Sequence, residues 1–190
     1  GQFAIAWGHK QGSGSADEGG QVNDTPSRAI YGQYKQLLLE PGDERFVING
    51  SATDSIYVIN VARARMREYL DEGNLELNLA LLSGSNVKLL GTMGTGSCIR
   101  LIDDSRVASA TVTTAGEVYN MVSGTIEDGV YNSSAPHYYG LMYRRWGCVV
   151  LDGTKLDQSG GFLTVTGSEI PGDNAYKLFT SISGAAARYT

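Results

Sequence analysis

Along residues 75–82, Leu75, Leu77, Leu79 and Leu81 are separated by Glu76, Asn78 and Ala80. A strict two-residue period of this kind predicts a strand with one face buried. Upstream, residues 56–61 form a nearly continuous apolar run rich in β-branched and aromatic side chains, which predicts a second strand. Between the two lie Arg63, Arg65 and Arg67 and the turn-forming run Asp71-Glu72-Gly73-Asn74. Residues 55–82 therefore read as a strand, a basic crossing and a second strand, the two making the clearest strand pair in the chain. In an extended crossing the three arginines line one face.

The same reading extends to the rest of the chain. Residues 3–7 predict a short strand. Ile30, Tyr34, Leu37 and Leu38 fall at helical spacing and predict a helix over 26–40 with one buried stripe. Asp24 or Thr25 is placed to cap it, Pro26 sits in its first turn, and Pro41-Gly42 stops it. Further strands are expected at 45–49, 87–90, 98–102, 117–126, 138–144, 146–151 and 162–165. The polar residues 83–86 would join 75–82 to 87–90 as an antiparallel hairpin, and residues 108–114 suit an edge strand or an extended arm. Asp173 would cap a closing helix that carries Tyr176, Phe179, Ile182 and Ala186 near one face. Seven to nine short strands with one helix near each end make an α+β protein with a mainly antiparallel sheet.

Composition adds turns to this picture. The 190 residues include 25 glycines and only 4 prolines, and the chain is long enough for one domain with a substantial core. Glycine and serine concentrate at 8–20 and 91–97, which read as flexible loops on a single domain over 1–190. The net charge of −5 argues against general nucleic-acid binding, which needs clustered positive charge. No apolar run is long enough to cross a bilayer as a helix, and no export signal is evident, so a soluble protein that is not individually exported is expected. Cys98 and Cys148 belong to no C-x-x-C pair and lie beside apolar residues, as buried free thiols do.

Searches for chemistry return little. Gly91–Cys98 lacks the third glycine and the following helix of a dinucleotide loop, and no phosphate-binding G-K-[ST] occurs. His9 and His137 stand alone, so solvated loop histidines are expected rather than metal ligands. Asp103, Asp104 and Asp152 lack a calcium-loop frame and suit strand-end turns. There is no G-x-S-x-G nucleophile motif, and no pair of carboxylates stands out. The expectation is a protein without a catalytic site, metal, cofactor or small-molecule substrate.

What is distinctive is aromatic and basic. Tyr138, Tyr139, Tyr143, Arg144, Arg145 and Trp146 fall within nine residues and are of types enriched where interfaces carry binding energy. Two further readings stay open: alternate aromatics buried in the core with arginines on its rim, or a carbohydrate platform built on Trp146 and Tyr139. Arg63, Arg65 and Arg67 are either a solvated face or a contact for an acidic partner, including a second copy of this acidic chain.

Residues 29–50 (AIYGQYKQLLLEPGDERFVING), 56–81 (IYVINVARARMREYLDEGNLELNLAL), 138–157 (YYGLMYRRWGCVVLDGTKLD) and 178–190 (LFTSISGAAARYT) resemble virion structural proteins of long contractile-tailed bacteriophages, including those infecting cyanobacteria. The shared features are an aromatic helix before a Pro-Gly turn, a strand with Arg-x-Arg, a Leu-alternating strand after an Asp-x-Gly-Asn turn, and a Tyr-Gly-Leu strand before a Val-Val-Leu strand. The resemblance implies a tail or baseplate component, assembled in the host cytoplasm and working in many symmetric copies beside other virion proteins. From the charge and the lack of a long apolar run, no contact with nucleic acid or membrane is expected. The alternative class is a receptor- or carbohydrate-binding module of a phage or surface appendage. Trp146 with Arg144-Arg145 departs from the pattern, and the chain stops at Thr190 where such proteins continue, so a short relative or a piece of a longer protein is expected.

Overall fold

The computed structural model describes residues 2–14, 25–80, 98–160 and 173–186. Its centre is an antiparallel sheet whose strands are β1 (Phe3–His9), β4 (Ser55–Val61), β11 (Cys148–Asp152), β10 (Tyr138–Tyr143), β8 (Gly116–Thr125), β6 (Cys98–Asp103) and β5 (Glu76–Ala80), in that spatial order. Two short strands, β7 (Thr111–Thr113) and β9 (Gly129–Val130), pair with β8 off this path. With the helices α1 (Pro26–Leu38), α2 (Gly153–Gly160) and α3 (Asp173–Ala186), this is the expected α+β class. Among the described residues no helix is long and apolar enough to cross a membrane.

Strands β4 and β11 carry continuous apolar runs, Ile56–Ile59 and Cys148–Leu151, because both of their faces are covered. On β4, Tyr57 and Ile59 join one core cluster while Ile56 and Val58 join another, and Val149, Leu151 and Cys148, Val150 divide in the same way on β11. The first cluster also holds Trp7, Leu79, Leu101, Met121, Met142 and Leu178. The second lies under α1 and Phe46. At the β5 end only one face is deeply buried, so Leu77 and Leu79 alternate with Glu76 and Asn78. The clearest strand pair of the sequence is therefore no pair: β4 runs between β1 and β11, and β5 lies at the far edge against β6.

Helix α1 opens as its sequence suggests, with Thr25 Oγ1 accepting from Arg28 N and Pro26 in the first turn. It ends at Leu38 rather than residue 40, Leu39 being already extended on the approach to Pro41. Its buried residues are Ser27, Tyr31 and Leu38, while Leu37 is exposed. The Tyr31 hydroxyl donates to Thr53 O at 2.7 Å and accepts from Phe46 N at 3.1 Å. Tyr31 thus ties α1 to a small hairpin, β2 (Phe46–Ile48) with β3 (Ser51–Thr53). The hairpin turns on Asn49 and Gly50, both at positive φ, the combination a two-residue turn of this hand requires.

Helix α3 packs against β1 and β5, the two ends of the sheet path, and so bridges the gap that the curled sheet leaves open. Leu178 enters the first core cluster, Phe179 sits 6.4 Å from Phe3, and Ser181 Oγ donates to Ala80 O at 2.7 Å. The face turned inward is Asn174, Lys177, Leu178 and Ser181, whereas Tyr176 and Phe179 of the expected stripe are exposed and Ile182 is half-buried. Helix α2 was not expected; Asp152 Oδ1 accepts from Thr154 N at 3.0 Å and caps its start. The expected strands at 87–90 and 162–165, the hairpin across 83–86 and the loop at 91–97 lie outside the described residues, as do residues 15–20 of the loop expected at 8–20, whose first two residues belong to β1.

Candidate functional site

The residues between β4 and β5 do not form an extended basic strand. Arg63–Arg65 is a single 3-10 turn, because the chain must bend there to insert Met66 and Leu70, four residues apart, into the first core cluster. Gly147 makes room: a Cβ at that position would run into the Met66 thioether. Arg63, Arg65 and Arg67 consequently point away from the core and are all exposed. None of their guanidinium groups takes part in an ion pair among the described residues.

The bent segment is held from behind by Arg144. Its Nε donates to Leu70 O at 3.0 Å, Leu70 N donates to Arg144 O at 3.0 Å, and its guanidinium pairs with Glu72 and Glu117. The same guanidinium carbon lies 5.1 Å from the Tyr69 ring centroid. A second tie comes from β6, where both carboxylate oxygens of Asp103 accept from Gly73 N at 3.0 and 3.1 Å. These ties fix the C-terminal side of the arginine segment, and its N-terminal side is held by Val61 N donating to Gly147 O and Ala62 N donating to Gln2 O, both at 2.9 Å.

Arg144, Arg145, Trp146 and Gly147 form the turn between β10 and β11, Gly147 at a φ of 66°. Trp146 therefore belongs to the turn and not to the strand expected at 146–151. Arg145 and Trp146 are exposed, the latter at 38%. Arg63, Glu68, Tyr69, Arg144 and Arg145 line one groove of about 590 Å³. Beyond Tyr69 a second groove of about 820 Å³ is lined by Val61, Met66, Leu70 and Leu75 together with Arg65 and Arg67. Five of the chain's ten arginines line these two grooves, and no lysine does among the described residues.

The tyrosines of the candidate set divide. Tyr143 is buried in the second core cluster and Tyr139 in the first, where Lys155 Nζ stands 5.9 Å from its ring centroid. Both are core residues, as the core-and-rim reading requires. Four residues apart, the two would share a face of an unbroken strand; a register shift between Tyr138 and Gly140 breaks the alternation and sends them to different clusters. Tyr138 is half-buried. Tyr139 has too little exposed ring to share a stacking platform with Trp146.

No family model matches the chain, and no curated protein or solved structure matches it either. The chemistry of the residues themselves has to carry the functional reading.

The remaining candidates are structural. His9 is the last residue of β1 rather than a loop residue; its Nδ1 accepts from Gln11 N at 3.1 Å, and burial lowers its pKa against the opposing pull of Asp54. His137 is exposed. Asp103 and Asp104 accept from loop and strand amides, as turn-forming aspartates do. No group of His, Cys, Asp and Glu suited to a metal ion occurs among the described residues. Both cysteines are free thiols; Cys148 is buried, which pushes its pKa up to about 11, and Cys98 is half-buried. The part of the arginine site that sequence reasoning missed is Glu68 and Tyr69. A Tyr two residues after Arg67 was the available signal, but its exposure depends on the 3-10 bend.

Proposed function

We propose that this chain is a structural component of a bacteriophage virion, a tail or baseplate protein that works through interfaces with copies of itself and with other virion proteins. The carrying observation is the anchored arginine end: Arg63, Arg65, Arg67 and Arg145 are exposed beside Tyr69 and Trp146 on a chain of net charge −5. Surface arginines are ordinarily worth little to their own fold, whereas arginines clustered with exposed aromatics are the makings of an interface centre. Arginine suits this role better than lysine because its planar fork binds carboxylates in pairs. An acidic face on a neighbouring subunit is the partner such a surface fits.

In this reading the protein has no catalytic task, takes no cofactor, contacts neither nucleic acid nor membrane, and resides in the particle after assembly in the host cytoplasm. The resemblance of residues 29–50, 56–81, 138–157 and 178–190 to phage structural proteins supports the setting. Mass spectrometry of purified intact particles tests it: the chain should be recovered stoichiometrically with tail or baseplate proteins, and its absence from complete particles would overturn the proposal. The receptor- or carbohydrate-binding alternative keeps Trp146 as its exposed aromatic but loses Tyr139 to the core.

A further inference from the structure

A cavity of about 380 Å³ lies away from the arginine end, between the β2–β3 turn, the entry to β10 and the start of α2. Asn49 and Ser51 come from the first, His137 and Tyr138 from the second, and Asp152 and Lys155 from the third. Three segments distant in sequence therefore converge on one concave surface, within the size range of small-ligand sites.

Asp152 lines this cavity as a buried carboxylate. It is only 9% exposed, yet both of its hydrogen bonds, from Thr53 Oγ1 at 2.8 Å and Thr154 N at 3.0 Å, fall on Oδ1. Oδ2 accepts none from a described residue. Fixed in place by two bonds on one oxygen, the carboxylate has its other oxygen available as an acceptor for a ligand that brings its own donors. Lys155, which also lines the cavity, balances its formal charge, and the exposed side chains of Asn49 and Ser51 offer further donors and acceptors. His137 and Tyr138 add two rings.

We infer that this cavity binds a neutral polyhydroxylated ligand, a single sugar unit, with one or more of its hydroxyls donating to Asp152. A sugar presents both donors and acceptors along its edge and an apolar C–H face to a ring, which matches a cavity of balanced charge lined by an acceptor, donors and two rings. A strong anion would meet the Asp152 carboxylate, and a simple cation would meet Lys155. The site is independent of the arginine surface and of the assembly reading.

Saturation-transfer NMR of the whole chain against a panel of free hexoses, N-acetylhexosamines and uronic acids, each at about 10 mM, tests the inference in the millimolar affinity range. At least one neutral sugar should show transfer, and Asp152→Asn should weaken it at least tenfold while keeping an Oδ1 acceptor for Thr53 and Thr154. His137→Ala and Asn49→Gly, at exposed positions, should each weaken it severalfold and so decide the matter if Asp152→Asn does not fold. Arg63→Glu should leave it unchanged. No transfer from any neutral sugar, transfer from uronic acids alone, or binding that survives the cavity substitutions would overturn it.

Discussion

Ser181 Oγ, on the closing helix, donates a 2.7 Å hydrogen bond to the carbonyl of Ala80, the last residue of the edge strand β5, and both residues are fully buried. A sheet edge ordinarily presents unpaired carbonyls to solvent or to another strand. Here a helix supplies a donor in place of a neighbouring strand, and Leu178, one turn earlier, fills the core beneath it. Removing the hydroxyl should leave Ala80 O buried without this partner. Ser181→Ala is expected to destabilise the fold by about 1–3 kcal/mol, and Leu178→Ala by about 2–5 kcal/mol, read as shifts of the urea midpoint.

The Tyr31 hydroxyl joins three elements, because it donates to β3 and accepts from β2 while its ring packs edge-on to Phe46 at 5.6 Å. Tyr31→Phe keeps the ring and removes both bonds. A loss of about 1–3 kcal/mol is expected, with faster amide exchange at Phe46 and in the β2–β3 hairpin while β4 and β11 keep their protection.

Alkaline pH should unfold the protein earlier than its charge alone suggests. Burial raises the pKa of Cys148 to about 11 and raises those of Tyr57 and Tyr143 as well. Each group stays protonated in the folded state after it has ionised in the unfolded one. The unfolded state then binds fewer protons, and stability falls as pH rises. The contribution is complete below the unfolded thiol value near 9 and is lost as pH climbs through about 11. Melting temperature should therefore drop between pH 9 and 11, and Cys148→Ser should flatten the first part of that drop. At pH 8 a thiol reagent should label Cys98 and spare Cys148 until the protein is unfolded.

How far the sequence foretold this structure depends on how local each cause is. The alternation of Leu75, Leu77 and Leu79, the apolar run of β4 and the Thr25-Pro26 start of α1 have local causes, and all three appear where they were expected. Asn49-Gly50 was an equally local hairpin signal that went unread. The neighbours of β4 could not be read, because pairing with β1 and β11 depends on chain returning from residues 3–9 and 148–152. The face of α3 was misread because its buried side includes Lys177 and Ser181, polar residues that a hydrophobic stripe does not count. At the candidate site the arginines were legible as a group, but their presentation was not. The demand of Met66 and Leu70 for the core turns an expected strand face into a 3-10 bend.

Arg144 should behave unlike its neighbours. It joins Leu70, Glu72 and Glu117 and is largely enclosed, so Arg144→Met would leave these partners unmatched. Destabilisation of about 1–3 kcal/mol is expected, with the 62–75 segment opening first in hydrogen exchange. Arg67→Met, at an exposed position, should fall within about 0.5 kcal/mol of the parent.

The assembly reading rests on Arg63 and Arg65 serving a neighbour rather than the fold, and charge reversal separates the two. Mass photometry of the parent and of Arg63→Glu/Arg65→Glu, each alone and with co-expressed tail or baseplate proteins, measures this directly, with circular dichroism as the check on folding. The account predicts that the parent forms salt-sensitive multi-subunit species and that the variant, folded and equally stable, does not. A parent that stays monomeric under every condition, or a variant that assembles as the parent does, would contradict it.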